Sequence, residues 1–161
     1  MAHIRFATES DIPLIYGFIL KMARYEKLEN EVDTSEEALH RAIFLEKQAE
    51  VILCEAEGKT VGFALFFHNF STFKGQHGLY LEDIYVDQEY RGRGYGKAMF
   101  LRLVAIAMER RCRRMEWTAL NWNRPAIAFY ESMGAVRMSE WSTFRLDEEH
   151  LRILNAAQQT H

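Results

Sequence analysis

The segment Arg91-Gly92-Arg93-Gly94-Tyr95-Gly96 stands between an apolar stretch, Leu79-Tyr80-Leu81-Glu82-Asp83-Ile84-Tyr85-Val86, and a long amphipathic stretch at 95–112. A strand, a glycine turn and a helix in that order constrain this chain more than any other feature. Alternate glycines let the backbone turn sharply and present successive N–H groups outward, and the helix N-terminus adds partial positive charge. The product is an anion site suited to a diphosphate, with Arg91, Arg93 and Lys97 supplying charge. Two familiar phosphate motifs are excluded by spacing. Gly96-Lys97 is followed by Ala98, where a P-loop needs Ser or Thr. After Gly92 and Gly94, the dinucleotide fingerprint needs a third glycine at the position of Lys97. Taken alone, the six residues also fit an ordinary glycine-rich turn with solvated arginines.

The rest of the chain sets the architecture. Its 161 residues fit one domain, 1–161, since domains run about 100–200 residues. Such a chain buries roughly 70% of its unfolded surface and needs no disulfide or metal staple. An apolar content of 48% with 27% charged residues excludes a disordered chain. The apolar run Val61–Phe67 is far short of the ~20 residues of a membrane helix. Met1–Phe6 alternates and carries charge, unlike a secretory leader. A net charge of −3 argues against nucleic acid and for a cationic partner.

His3–Phe6 alternates like a strand, and Thr8 or Ser10 caps a helix with Pro13 in its first turn. Thr34 and Glu37 read as a capping box for a helix over 35–46. Strands are expected at 51–56, 60–70, 79–86 and 114–120, with a hairpin turn at Glu57-Gly58. Helices follow over 95–112, from Pro125 to Gly134 and over 148–159, with weaker strands at 135–138 and 141–146. The pattern predicts a mixed, mostly antiparallel α+β sheet of about seven strands with helices on both faces.

Arg91-x-x-Gly94-x-Gly96 after Ile84-Tyr85-Val86 resembles the acetyl-CoA-binding motif of the GNAT acetyltransferase superfamily, and the element order is similar over nearly the whole chain. Tyr80–Val86 through Tyr90-Arg91-Gly92, Trp122-Asn123, Phe129-Tyr130, Gly134-Ala135 and Ala23-Arg24-Tyr25-Glu26 resemble its diamine (spermidine/spermine) and thialysine branch. The resemblance implies that Ile84, Tyr85 and Val86 hold the pantetheine arm through their backbone. It implies that Arg91, Gly92, Arg93, Gly94, Tyr95, Gly96 and Lys97 hold the pyrophosphate, with Asn123 and Ala126 beside the pantetheine. Acetyl-CoA is then the co-substrate, the acceptor is a small primary amine (a diamine, a polyamine or a lysine-like amino acid), and a homodimer is implied. A protein or peptide acceptor and a non-catalytic acyl-CoA sensor are the alternatives.

Acyl transfer to an amine needs a neutral nucleophile, a polarised carbonyl and a proton for the departing thiolate. The resemblance implies that Tyr130 protonates the thiolate, although a packed tyrosine making one hydrogen bond is the ordinary role at such a position. Glu82 and Asp83 interrupt an apolar strand, where adjacent residues face opposite sides. At least one of them meets a buried or cleft environment and must be paired or functional. The resemblance implies that Glu82 contacts the amine and relays its proton, with Tyr25 and Glu26 as the substrate-contacting pair on the first helix. Asp83, as the second acid of the strand, is a further candidate for the substrate site. The shorter turn before Trp141, with only Glu140 preceding it, departs from the polyamine enzymes and weighs against a long polyamine.

Cys54 and Cys112 form no Cys-x-x-Cys pair, which fits a reducing cytoplasm. The histidines at 3, 40, 68, 77, 150 and 161 are dispersed along the chain, so no metal site is expected. The arginines at 110, 111, 113 and 114 read as a helix-end and surface feature.

Overall fold

A computed structural model describes residues 1–159, so His161 lies outside the described residues. The chain divides into two compact units, Met1–Thr118 and Ala119–His161. The first holds a five-stranded sheet in the order β1 (His3–Phe6), β2 (Glu50–Ala56), β3 (Lys59–Ser71), β4 (Gln76–Val86) and β5 (Met115–Glu116). Neighbours are antiparallel except β4 and β5, which are parallel. The mixed sheet is as expected, but it has five strands rather than about seven. Residues 135–138 and 141–146 alternate apolar and polar yet take no part in it. A period of two makes a strand only where a neighbouring strand takes up its backbone groups. The expected strand at 114–120 shrinks to Met115–Glu116 for the same reason.

α1 (Ile12–Tyr25) follows a 3-10 turn, and its N-cap is Asp11 rather than the expected Thr8 or Ser10. Thr8 and Asp11 form a capping box around a 3-10 turn, and Pro13 sits in the first turn, where it needs no N–H partner. α2 (Glu36–His40) is capped by Ser35, whose Oγ accepts from Ala38 N at 3.1 Å, so the cap lies one residue after Thr34. It widens into a π-helical turn at Arg41–Leu45. Ile12, Ile15 and Phe18 of α1 join Ile43, Val51, Leu53 and Phe63 in one buried cluster. Phe18 stacks on Phe63 with ring centres 5.6 Å apart. Burying each such side chain contributes roughly 1.5–3 kcal/mol.

α3 (Tyr95–Glu109) covers the opposite face of the sheet. Gly62, whose neighbours Val61 and Phe63 turn the other way, approaches Met99 so closely that an added Cβ would lie 3.0 Å from Met99 Cε. The helix ends at Glu109, before the expected 112, because Arg111 takes a φ of 62°. Ion pairs from Arg5 to Asp11 and Glu55 tie β1 to the start of α1 and to β2. The second unit contains α4 (Arg124–Ser132) and α5 (Glu148–Gln158), capped by Asn123 and Asp147. Among the described residues no helix is long and apolar enough to cross a membrane.

Candidate active site

Strand β4 is paired on its two edges very differently. Against β3 the ladder runs from Gln76 to Val86, whereas β5 pairs only with Leu79 and Tyr80. Among the described residues no strand pairs with the β5-side edge of β4 beyond Tyr80. Asp87 N–H reaches Val61 O at 2.8 Å, so residues 85 and 87 turn their backbone groups toward β3. Ile84 and Val86, by alternation, turn theirs to the open edge. An extended amide-bearing chain laid along that edge finds donors and acceptors in strand register. Of Ile84, Tyr85 and Val86, only Ile84 and Val86 turn backbone groups to that edge, whereas those of Tyr85 face β3.

A bulge precedes this open segment. Leu65 pairs with Asp83 and Phe66 with Leu81, which leaves Glu82 as the extra residue of β4. Bulges re-aim side chains next to functional sites. Here Glu82 is exposed while Asp83 is half-buried on the face that Tyr85 shares with α1. Burial pushes the Asp83 carboxyl up to about 7, and the negative charges of Glu82 and Glu26 add to it. Burial also raises Glu26, which terminates α1. Among the described residues none of these three carboxylates meets a Lys or Arg within ion-pair distance. The end of α1 and the middle of β4 thus bring together Glu26, Glu82 and Asp83, a concentration of negative charge that favours a cationic ligand.

The turn after β4 is built as an anion cradle, though not by three equivalent glycines. Gly92 has φ 78° and Gly94 φ 87°, a conformation that residues with a side chain rarely adopt. Gly94 caps α3, while Gly96 lies within its first turn. Ala98 N donates to Gly94 O at 2.9 Å, so the N–H groups of Tyr95, Gly96 and Lys97 precede the first intrahelical bond and remain available to an anion. Lys97 is exposed. Arg93 lies 3.4 Å from Glu57 Oε2 and over the Tyr90 ring.

Arg91 is placed differently from a loose phosphate ligand. Its Nε donates to Val86 O at 2.9 Å, and its guanidinium lies 4.3 Å from the Tyr25 ring centre and 5.2 Å from that of Tyr85. It therefore links the cradle, the end of β4 and the end of α1. Lys21 adds a second link through a 3.0 Å ion pair with Asp87. Neither link has a sequence signature, because both partners lie more than sixty residues apart.

Asn123, Ala126 and Tyr130 belong to the second unit. The Asn123 side chain accepts from Ala126 N at 3.4 Å, which makes it the N-cap of α4. Tyr130 lies in the last turn of α4, half-buried, with its ring 5.5 Å from that of Phe129. The first unit also overturns the dispersal of histidines read from the sequence. His68 and His77, diagonal neighbours across β3 and β4 (His68 pairs with Leu79, His77 with Phe70), have ring centres 4.9 Å apart, and Cys112 Sγ lies 3.9 Å from His68 Nδ1.

Residues 18–135 match the Acetyltransferase (GNAT) family. The chain is 36% identical to a thialysine N-epsilon-acetyltransferase of Bos taurus, over 94% of this chain and 95% of that one. It is 33% identical to the human spermidine/spermine N(1)-acetyltransferase-like protein 1, over 92% of this chain and 23% of that much longer protein. Among solved structures, an integron cassette protein from the mobile metagenome of V. cholerae superposes with a TM-score of 0.79 at 27% identity, covering 96% of this chain and 97% of that one. With this sheet, this turn and these relatives, the chain belongs to the GNAT family of acetyltransferases.

Proposed function

We propose that this protein is an acetyl-CoA-dependent N-acetyltransferase whose acceptor is the primary amine of a small cationic molecule, a lysine-like amino acid or a short diamine. The observation that carries this reading is the group Glu26, Glu82 and Asp83, three carboxylates that, among the described residues, meet no Lys or Arg within ion-pair distance, beside the stretch of β4 that β5 leaves unpaired. A small ammonium ion supplies the missing charge. The name of the thialysine relative, at 36% identity over nearly both whole chains, favours the lysine-like amino acid. The short turn before Trp141 favours it over a long polyamine.

In this reading the amine enters as an ammonium ion and gives up a proton before it attacks the thioester carbonyl. Asp83, with its carboxyl near 7, matches the operating pH of a proton acceptor. Glu82, exposed on the bulge, holds and steers the cation and passes protons to solvent. Tyr130 is the acid that protonates the departing thiolate. Asn123 and Ala126 sit beside the pantetheine, and the backbone of Ile84 and Val86 takes its amides, while that of Tyr85 stays paired with β3. The N-terminal amides of α3, with Arg93 and Lys97, take the pyrophosphate, while Arg91 keeps the cradle aligned with β4. Residues 1–161 act as one catalytic domain, a reading supported by a family match at 18–135 that crosses the boundary between the two compact units. The working form is a cytoplasmic homodimer, for which exposed Phe70 and Phe73 offer apolar surface.

The test is thiol release from acetyl-CoA against thialysine, lysine, putrescine and spermidine, with Tyr130→Phe in parallel. Turnover on thialysine or lysine, with kcat reduced about 10²-fold or more in the variant, is the expected result. Turnover untouched by the substitution removes Tyr130 from the mechanism. Coenzyme binding without turnover on any amine, free or peptide-borne, supports an acyl-CoA sensor instead.

A further inference from the structure

Away from the carboxylates, at the opposite end of β4, the fold assembles a second group of chemically reactive side chains. One ligand atom from each of His68, His77 and Cys112 lies within 4.8 Å of the others. His68 comes from β3, His77 from the start of β4 and Cys112 from the turn that follows α3. We propose that these three side chains form a binding site for a borderline-soft transition-metal ion of the zinc class, with a fourth position open to water.

The hydrogen bonds around the imidazoles support this assignment. His68 Nδ1 lies 3.0 Å from Gly78 O, and His77 Nε2 lies 2.9 Å from Arg110 O. A carbonyl only accepts, so each of these nitrogens carries its ring proton. Neutral rings so protonated leave lone pairs on His68 Nε2 and His77 Nδ1. A ring nitrogen anchored to a backbone carbonyl, with its opposite nitrogen unprotonated, is the usual orientation of a ligating histidine. Two imidazoles and a thiolate are the donors that select zinc or copper(I) over magnesium or calcium.

Arg110 sets the cost. Its guanidinium lies 3.0 Å from His68 Nε2 and must release that contact when the ion enters. It retains two bonds to Glu50, which also neutralise its charge beside the incoming cation. The ligand atoms of a tetrahedral zinc lie roughly 3.5 Å apart, given bonds of about 2.0–2.3 Å, and Cys112 Sγ now lies 3.9 Å from His68 Nδ1, the nitrogen held by Gly78 O, so Cys112 must turn toward His68 Nε2 to complete the set. Ligation releases the thiol proton to solvent and changes no oxidation state. The bound ion cross-links the end of the β3–β4 hairpin to the chain leaving α3.

The test is titration of the full, tag-free chain with Co²⁺, then displacement by Zn²⁺. The expected result is a thiolate-to-cobalt charge-transfer band that Zn²⁺ abolishes, with a rise in Tm on adding Zn²⁺. Cys112→Ser loses the band, and His68→Ala or His77→Ala weakens binding at least about tenfold. The Tm of each variant without metal shows that it has folded. Absence of the band in the parent chain overturns the proposal, and so does a band that survives Cys112→Ser. Histidine-only adsorption on the surface would persist in that variant as a Tm shift without a band, and that outcome also overturns it.

Discussion

The Arg91 guanidinium lies 4.3 Å from the centre of the Tyr25 ring while its Nε holds Val86 O at 2.9 Å. One side chain thus fixes the end of α1 to the end of β4, and with it the spacing between the carboxylates and the open edge. A half-exposed cation–π contact is worth about 0.5–1 kcal/mol and a hydrogen bond to a carbonyl about 0.5–1.5 kcal/mol. Arg91→Lys keeps the charge but loses the planar stack and the Nε donor. Initial rates are expected to show KM raised several-fold for both acetyl-CoA and the amine. A rise for acetyl-CoA alone would mean that Arg91 serves only the phosphates.

The Asp83 carboxyl, raised to about 7, makes the reaction and the stability depend on pH in opposite senses. Below about 7 the group is neutral and cannot accept a proton; above it the carboxylate is available. kcat/KM is therefore expected to climb through pH 7, and Asp83→Asn to remove that limb while lowering kcat. For stability, the folded carboxyl ionises later than the unfolded one near 3.8, so the native state loses stability as pH rises between about 4 and 7. Asp83→Asn should raise Tm at pH 8 and leave it unchanged at pH 4. Melting curves at the two values decide this, and an equal difference at both would show that Asp83 is not the titrating group.

Much of this arrangement is legible in the sequence because it rests on local chemistry. Thr8, Pro13, Gly58, Gly92 and Gly94 each act within a few residues of themselves, and the turns they predict are present. Glu82 and Asp83 are legible as charges inside an apolar strand. Their division of labour is not, because it depends on a bulge created by pairing with β3. The strands expected at 135–138 and 141–146 failed for a related reason: alternation is local, whereas pairing is not. The cap of α2 is Ser35 rather than Thr34 because two adjacent hydroxyl residues compete for the position and serine is the better N-cap. Arg91 over Tyr25 and His68 beside Cys112 join residues whose separation along the chain hides any spacing rule.

Gly94 carries the sharpest backbone demand of the cradle, with φ 87° at the residue that caps α3. Nothing lies within 4 Å of a Cβ added there, so Gly94→Ala tests conformation without a clash. A left-handed conformation costs a residue with a side chain about 1–2 kcal/mol, which lowers Tm by a few degrees in a chain of this size. If the cradle binds the pyrophosphate, KM for acetyl-CoA rises while KM for the amine stays within twofold. Loss of Tm with both KM values unchanged would place the anion elsewhere.

Asp11 is 6% exposed and held by Arg5, whose guanidinium draws its carboxyl down to about 2 from 3.8. At 1.36 kcal/mol per pH unit, that gap stabilises the fold by about 2 kcal/mol at neutral pH. A depressed carboxyl contributes fully above the unfolded value, and its contribution fades as pH falls from about 4 toward 2. Asp11→Asn should therefore lower Tm by about 4–8 °C at pH 7, with the deficit shrinking progressively below pH 4. The loss falls on the link between β1 and the start of α1, at the end of that helix opposite Tyr25 and Glu26, so KM values at 25 °C should be unchanged. A deficit of the same size at pH 7 and pH 3 would mean that packing, not the ion pair, is what Asp11 contributes.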